Sequence, residues 1–251
     1  MIKFKSMFAL IAISMMLAPV AEAEEVKDPH YLDIGFFDIH FCHWPDRPPF
    51  FLNVFSSFYL DQVEKVSIFL PNGEHMIDLD LSKFRQWKSM NKKTGKKQVK
   101  KAALLKNTVE KEFKSGWYTA KAYTKDGQVH EFKDLVDLKL MDRAQPIFPE
   151  EGSEIDAAPT KFEWKKIDGA KHYQVFVYDV WTGKKIHSSK LLDANSYTPP
   201  LKNRHGFKLM KTGGEYSWRV HARDMNGDPL YGDFNAGSQT HKMEFSIAEI
   251  D

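Results

Sequence analysis

The chain has 251 residues, of which 42% are hydrophobic and 28% are charged. Its 36 basic and 34 acidic residues leave a net charge of +2, so overall charge does not indicate a partner such as nucleic acid. The single cysteine, Cys42, excludes an intramolecular disulfide and a Cys-x-x-Cys motif. This length and composition are typical of one or two globular domains that are stabilised by packing.

Residues 1–23 have the pattern of a cleavable secretory signal peptide. Two early lysines precede the uncharged apolar run Met7–Val20, and an Ala-Glu-Ala triplet follows it. The run is shorter than the roughly 18–20 residues that span a bilayer, and no later segment approaches that length. We therefore expect export to the periplasm, the cell surface or the medium of a bacterium, with no integral membrane segment in the mature chain.

Short β-type runs separated by turn signals dominate the remaining sequence, which predicts an all-β fold. Gly116–Ala122 and Gly214–Ala222 form a repeat in which a glycine precedes a tyrosine and alternating inward-facing residues. The two tyrosines, Tyr118 and Tyr216, lie 98 residues apart, about the length of one immunoglobulin-like domain. The repeat therefore predicts two tandem β-sandwiches. Their predicted bounds are residues 24–145 and 146–251.

The second predicted sandwich has the more regular pattern. Four runs alternate between residues predicted to face the core and residues predicted to face outward. The core residues are Phe162 and Trp164; Tyr173, Val175 and Val177; Tyr216, Trp218, Val220 and Ala222; and Met243, Phe245 and Ile247. These runs resemble a fibronectin type III domain over residues 146–249. The resemblance implies a spacer, adhesion or docking module and no particular activity.

The first predicted sandwich is less regular. A hairpin is predicted where the alternating run from Val66 to Leu70 turns at Pro71-Asn72-Gly73 and returns to Leu81. An earlier strand is expected within Tyr31–Phe41. Residues 60–140 resemble generic bacterial immunoglobulin-like domains.

Seven lysines lie within the fourteen residues 88–101. The favoured interpretation is a solvated insertion between strands of the first sandwich. The alternative is a site for a polyanion, such as lipid head groups or a polysaccharide. The candidate residues of that site are Lys92, Lys93, Lys96, Lys97, Lys100 and Lys101.

The same alternation that turns four core runs inward predicts a cationic and aromatic outer surface on the second sandwich. Such a surface can stack on a sugar or receive an acidic partner, and the alternative is packing that only covers the sheet. The candidate binding residues are Phe176, Tyr178, Arg219, His221 and Arg223.

An aromatic segment follows the first predicted strand. Its prolines predict a loop over residues 44–49 that enters a buried strand, with Phe50–Tyr59 packed in the core. If its aromatic side chains are exposed, they form a docking patch instead.

Metal-ligand residue types cluster at His40, Cys42 and His43, near Asp38. Strand alternation sends His43 to the side opposite Cys42, and a further ligand is missing, so a buried cysteine beside polar residues is the favoured interpretation. The sequence has no nucleophile elbow, His-Glu-x-x-His pair or phosphate-binding loop. We therefore expect no catalytic activity and no cofactor.

These features favour a non-enzymatic exported protein that binds another envelope protein or acts as a scaffold. A carbohydrate-binding module that uses Phe176, Tyr178 or the loop from Trp44 is the second hypothesis. A metal-binding protein or enzyme centred on residues 40–43 is the third. The expected partner is an envelope protein or a polysaccharide, not nucleic acid.

Overall fold

The computed structural model describes residues 28–90, 95, 97–156, 160–203, 205–225 and 233–249, with the backbone alone at 89 and 90. The predicted signal peptide, 1–23, lies outside these residues. Regular structure in the described part is β-strand except for a 3-10 turn at Leu60–Gln62, which confirms the all-β prediction. No helix in it has the length and apolarity needed to cross a membrane.

The strands fall into two groups in chain order. The first nine are β1 (Tyr31–Leu32), β2 (Gly35–His43), β3 (Phe50–Ser57), β4 (Val63–Phe69), β5 (His75–Asp78), β6 (Phe84–Met90), β7 (Lys97–Thr108), β8 (Gly116–Thr124) and β9 (Val129–Val136). The second nine are β10 (Pro146–Phe148), β11 (Ser153–Ile155), β12 (Phe162–Trp164), β13 (His172–Asp179), β14 (Lys185–Ser188), β15 (Ser196–Tyr197), β16 (Glu215–Arg223), β17 (Ala236–Gln239) and β18 (Met243–Ile247).

The buried apolar residues form two separate clusters, one for each β-sandwich. In the first sandwich, β2 and β3 pack on the antiparallel sheet β5-β4-β8-β9, around residues such as Phe37, Phe55 and Tyr118. In the second, β13, β16 and β18 pack on the small sheet β10-β12-β15, around Trp164 and Trp218. Every core residue predicted for the second sandwich is buried except Met243, which is half-buried.

The two sandwiches share one sheet. Strand β17 of the second sandwich pairs in parallel with β2 of the first, with Gly237 opposite Cys42. This pairing joins β11-β18-β16-β17 to β2-β3-β7-β6 in a single eleven-stranded sheet. The two cores therefore lie beneath one continuous layer.

The segment between β9 and β10 is fastened to this junction. The side-chain amide of Asn235 accepts a hydrogen bond from the Asp137 N–H at 2.8 Å and donates one to the Asp137 carbonyl at 2.9 Å. The Ser238 hydroxyl donates to the Asp142 carbonyl at 2.7 Å. Met141 and Ala144 from the same segment pack in the core of the second sandwich.

The tyrosines of the sequence repeat make similar backbone contacts. Tyr118 donates a hydrogen bond from its hydroxyl to the Lys114 carbonyl at 3.0 Å, and the Tyr216 hydroxyl accepts one from the Lys211 N–H at 2.7 Å. Each bond links the start of a core strand to the turn before it, as in a tyrosine corner. The predicted hairpin of the first sandwich forms as β4 and β5, with Ile68 opposite Ile77.

Candidate functional site

The shared sheet has a side that faces away from both cores, which we call the outer face. Alternation places Asp38, His40 and Cys42 of β2 on it, because Phe37, Ile39 and Phe41 point into the first core. The same alternation places the outward residues of β13 and β16 on it. The sequence predicted these two sets separately, and the β2–β17 pairing brings them onto one surface.

On the second sandwich, cations and aromatic rings alternate along the outer face. The guanidinium of Arg219 lies 5.9 Å from the ring centroid of Phe176 and 5.3 Å from that of Tyr178. Lys185 lies over Phe176 at 4.8 Å, and Lys242 lies over Tyr178 at 4.4 Å. Three positive charges are thus held over two rings in cation–π geometry.

At the junction of the two sandwiches, the ring of Phe234, which precedes β17, covers part of the outer face. Its ring lies 3.7 Å from that of His40 and 5.8 Å from that of His221, and the guanidinium of Arg223 lies 4.9 Å from its centroid. The prediction that His221 is exposed is therefore wrong: its exposed fraction is 7%. Burial, followed by the charges of Arg223 and His40, holds the pKa of His221 well below its ordinary value.

On the first sandwich, the outer face contains a cleft of about 490 Å³. It is lined by Trp44, Leu52, Lys83, Phe84, Arg85, Leu104 and Lys106. Lys106 lies 4.0 Å from the Trp44 ring centroid, and burial, followed by the charge of Arg47, lowers its pKa. Among the described residues, neither Arg85 nor Lys106 forms an ion pair with a carboxylate. The cleft therefore carries two positive charges that no carboxylate in the described part of the chain pairs with directly.

The loop before β3 forms where the prolines predict it, and Phe50, Phe51 and Phe55 are buried as expected. Phe58 and Tyr59, however, are about half exposed, so the predicted core packing does not extend to them. They follow β3 beyond its pairing with β7, where the sheet no longer covers them.

At both ends of the lysine-rich segment, the described residues lie in strands and not in a solvated loop. Lys97, Lys100 and Lys101 lie in β7, which pairs with β6 across the hairpin, while Lys92, Lys93 and Lys96 lie outside the described residues. Lys100 reaches the outer face over Phe36 at 5.8 Å. Lys101 points to the other side and pairs with Asp61 at 2.6 Å. The candidate polyanion residues therefore do not share one surface.

The metal-ligand residues of β2 also separate. The ring of His40 bonds Asp38 at 2.8 Å, whereas His43 bonds the Met141 carbonyl at 2.9 Å through Nδ1. Cys42 is buried, and burial raises the pKa of its thiol to about 12. A thiol that stays protonated is a poor metal ligand.

Two residues of the outer face were not indicated by the sequence pattern. Phe234 stands alone between polar residues, and Lys106 follows an apolar run, so neither belongs to a recognisable motif. Only the alternation of side chains along β7 could have placed Lys106 on the outer face, because it puts this residue on the side opposite Leu105.

No family model matches the chain, and no curated protein matches it. Among solved structures, it is similar to murine CEACAM1b, with 10% identity over 84% of this chain and 99% of that one and a TM-score of 0.23. For Escherichia coli alpha-2-macroglobulin activated by porcine elastase, identity is 11% over 85% and 20%, with a TM-score of 0.26. For BcpA, the major pilin subunit of Bacillus cereus, it is 11% over 73% and 58%, with a TM-score of 0.21. Scores this low carry no argument, so the sandwich architecture rests on the sheets and cores described above.

Proposed function

We propose that the protein is a non-enzymatic, exported binding or scaffold protein that docks through its outer face onto an acidic surface of another envelope protein. The observation that carries this proposal is a row of seven cations, each lying over an aromatic ring on the outer face or in a loop beside it. They are Arg47, Lys100, Lys106, Lys185, Arg219, Arg223 and Lys242.

The geometry suits recognition of negative charge. A lysine or arginine that already rests on a ring has lost part of its rotamer freedom before a partner arrives, so binding costs less conformational entropy. The row crosses both sandwiches, which matches a broad partner surface better than a small ligand.

The same contacts weigh against a neutral sugar as the ligand. Stacking on a sugar needs a free ring face, but Arg219 and Lys185 lie over Phe176, and Arg219 and Lys242 lie over Tyr178. In the loop of the first sandwich, Lys106 lies over Trp44 in the same way. The carbohydrate hypothesis therefore narrows to an acidic polysaccharide.

The test is chemical cross-linking in the native host, followed by mass spectrometry of the cross-linked peptides. We expect cross-links between the outer face and an acidic segment of one envelope protein. A variant with Lys185→Gln, Arg219→Gln and Lys242→Gln should lose at least about tenfold in cross-linked product, because rim charges set the association rate. Binding of the purified pair should weaken as salt increases.

The matched control replaces three exposed lysines elsewhere, with Lys111→Gln, Lys125→Gln and Lys139→Gln. This control should cross-link as the wild type does. Recovery of the wild-type protein without a cross-linked partner contradicts the proposal. So does retention on immobilised polygalacturonate that the outer-face variant abolishes, because that result identifies a polysaccharide ligand instead.

A further inference from the structure

A second cluster of polar residues lies at the seam between β2 and β9, below a strap formed by the residues before β1. The strap is fixed to both strands, since the Phe37 N–H donates to the His30 carbonyl at 3.0 Å and the Lys133 N–H donates to the Pro29 carbonyl at 3.2 Å. It places the His30 ring in the seam, where the exposed fraction of His30 is 0%.

Three buried side chains meet there. One potential ligand atom from each of His30, Asp38 and Asp134 lies within 4.8 Å of the other two. Asp38 and Asp134 have exposed fractions of 0% and 1%. One imidazole and two carboxylates, all three buried, thus converge at one point.

Each of the three residues is supported from outside the cluster. The Nδ1 of His30 bonds Asp28 at 2.6 Å, which leaves Nε2 turned inward, 3.0 Å from Asp134. Asp134 accepts the Ile39 N–H through its other oxygen, Oδ2, at 2.6 Å. A carboxylate behind a histidine and a hydrogen bond behind a carboxylate are the usual supports of metal ligands.

Asp38 supplies an independent observation. Its Oδ2 bonds the His40 ring at 2.8 Å and the Asp233 N–H at 3.1 Å, but its Oδ1 has no hydrogen-bond partner among the described residues. A buried carboxylate oxygen without a partner is costly and calls for a bound cation or another donor. The other hydrogen bonds of Asp38 all go to residues outside the cluster, so its unpartnered Oδ1 is the atom left to face a ligand.

We propose that His30, Asp38 and Asp134 bind a divalent transition-metal ion of the zinc class, which ties the N-terminal strap to the seam between β2 and β9. One nitrogen and two carboxylate oxygens are ligand types that Zn²⁺ takes, and a water molecule or a second carboxylate oxygen would complete its four-coordinate shell. Mg²⁺ and Ca²⁺ prefer six or more oxygen ligands, which this seam does not offer. Asp38 lies on the outer face beside His40, but none of the seven cations is a proposed ligand, so the metal site and the docking function are tested with different residues.

The test uses protein unfolded in urea with EDTA and refolded with ZnCl₂, with MgCl₂ or without metal. After removal of free metal, we expect elemental analysis to find about one Zn²⁺ per chain and no retained Mg²⁺, with a higher melting temperature for the zinc-refolded sample. Refolding with CoCl₂ should give visible absorption bands that report nitrogen and oxygen coordination.

Three variants distinguish a metal site from a simple ion pair. His30→Gln and Asp134→Asn should abolish zinc retention, and Asp28→Asn, a change at a partly exposed side chain, should weaken zinc affinity about 10- to 100-fold. The control is His75→Gln, which removes the histidine of an exposed histidine–aspartate pair and should retain zinc normally.

Failure of wild-type protein to retain zinc at any added concentration overturns the inference. Wild-type affinity in a folded Asp28→Asn protein overturns it as well, even if His30→Gln does not fold. The first result identifies the cluster as a buried ion pair between His30 and Asp134, and the second places the zinc at another site.

Discussion

His40 and Phe234 stack across the junction of the two sandwiches, with ring centroids 3.7 Å apart and planes tilted by 31°. One ring comes from β2 and the other from the segment that leads into β17. The exposed fraction of Phe234 is 4%, and its ring also contacts His221 and Arg223. The junction is therefore a packed contact, and not a simple linker.

Phe234→Ala should destabilise the protein. Loss of a buried phenylalanine ring removes its transfer free energy and leaves a cavity, so we expect the free energy of unfolding to fall by about 3 kcal/mol. Urea denaturation measures this change. The control is Phe207→Ala, whose side chain is 70% exposed and whose loss should change stability by less than about 0.5 kcal/mol. Equal effects of the two changes would show that Phe234 does not pack at the junction.

His221 should make the protein less stable in mild acid. Its pKa in the folded protein is far below the ordinary value because of burial and the charges of Arg223, His40 and Arg219. Below about pH 6.5 the unfolded chain binds a proton at this histidine and the folded chain does not, so stability present above that pH is lost as pH falls. His221→Gln removes this linkage.

Between about pH 7 and pH 5.5, the wild type should therefore lose about 1 kcal/mol more stability than His221→Gln. Urea denaturation at each pH gives the two curves, and groups that titrate in both proteins cancel in the difference. Parallel curves would contradict the assignment of a buried, neutral His221.

Cys42 should be unreactive in the folded protein. Its exposed fraction is 1%, and burial raises its pKa to about 12, so neither thiolate nor access is available at neutral pH. A colorimetric thiol reagent should modify it slowly in buffer and completely in urea. The comparison is Ser188→Cys in a Cys42→Ala background, because Ser188 is exposed on β14. Similar rates for the two native proteins would rule out burial of Cys42.

Tyr118→Phe should lower the free energy of unfolding by about 1 kcal/mol, since it removes the hydrogen bond to the Lys114 carbonyl. Burial raises the pKa of this tyrosine to about 12. Thermal or urea unfolding measures the effect, and Tyr59→Phe, at a half-exposed position, serves as the control. If Tyr118→Phe matches that control, the corner contributes nothing to stability.

Strand alternation was readable from sequence because it is a local property with a period of two. It identified Tyr173, Val175 and Val177 as core, and it placed Phe176 and Tyr178 on the other side. The prediction was wrong at His221. Alternation gave the correct side of β16 for this residue, but the residue is buried and not exposed. The residue that covers it, Phe234, is not its neighbour in the strand.

For the described part of the lysine-rich segment, the prediction of a solvated loop was wrong for a related reason. High charge favours a solvated loop, yet the pairing of β6 with β7 keeps Lys97, Lys100 and Lys101 in a strand. Backbone pairing to a neighbouring strand outweighed composition there. The metal-ligand residues that sequence grouped on β2 are likewise separated, while His30 and Asp134, 104 residues apart, meet Asp38 in the seam.

The sequence by itself determined the all-β class, the two cores and the paired tyrosine corners, because hydrophobic alternation and turn residues act over a few positions. Only the tertiary structure decided that β17 pairs with β2 and that the outer face is continuous across both sandwiches. The parallel pairing places Cys42 opposite Gly237, and the Phe41 N–H donates across it to the Asn235 carbonyl at 2.7 Å. Backbone hydrogen bonds of this kind involve no side chain, so they leave no pattern in the sequence. The proposed docking surface and metal site both depend on such long-range contacts.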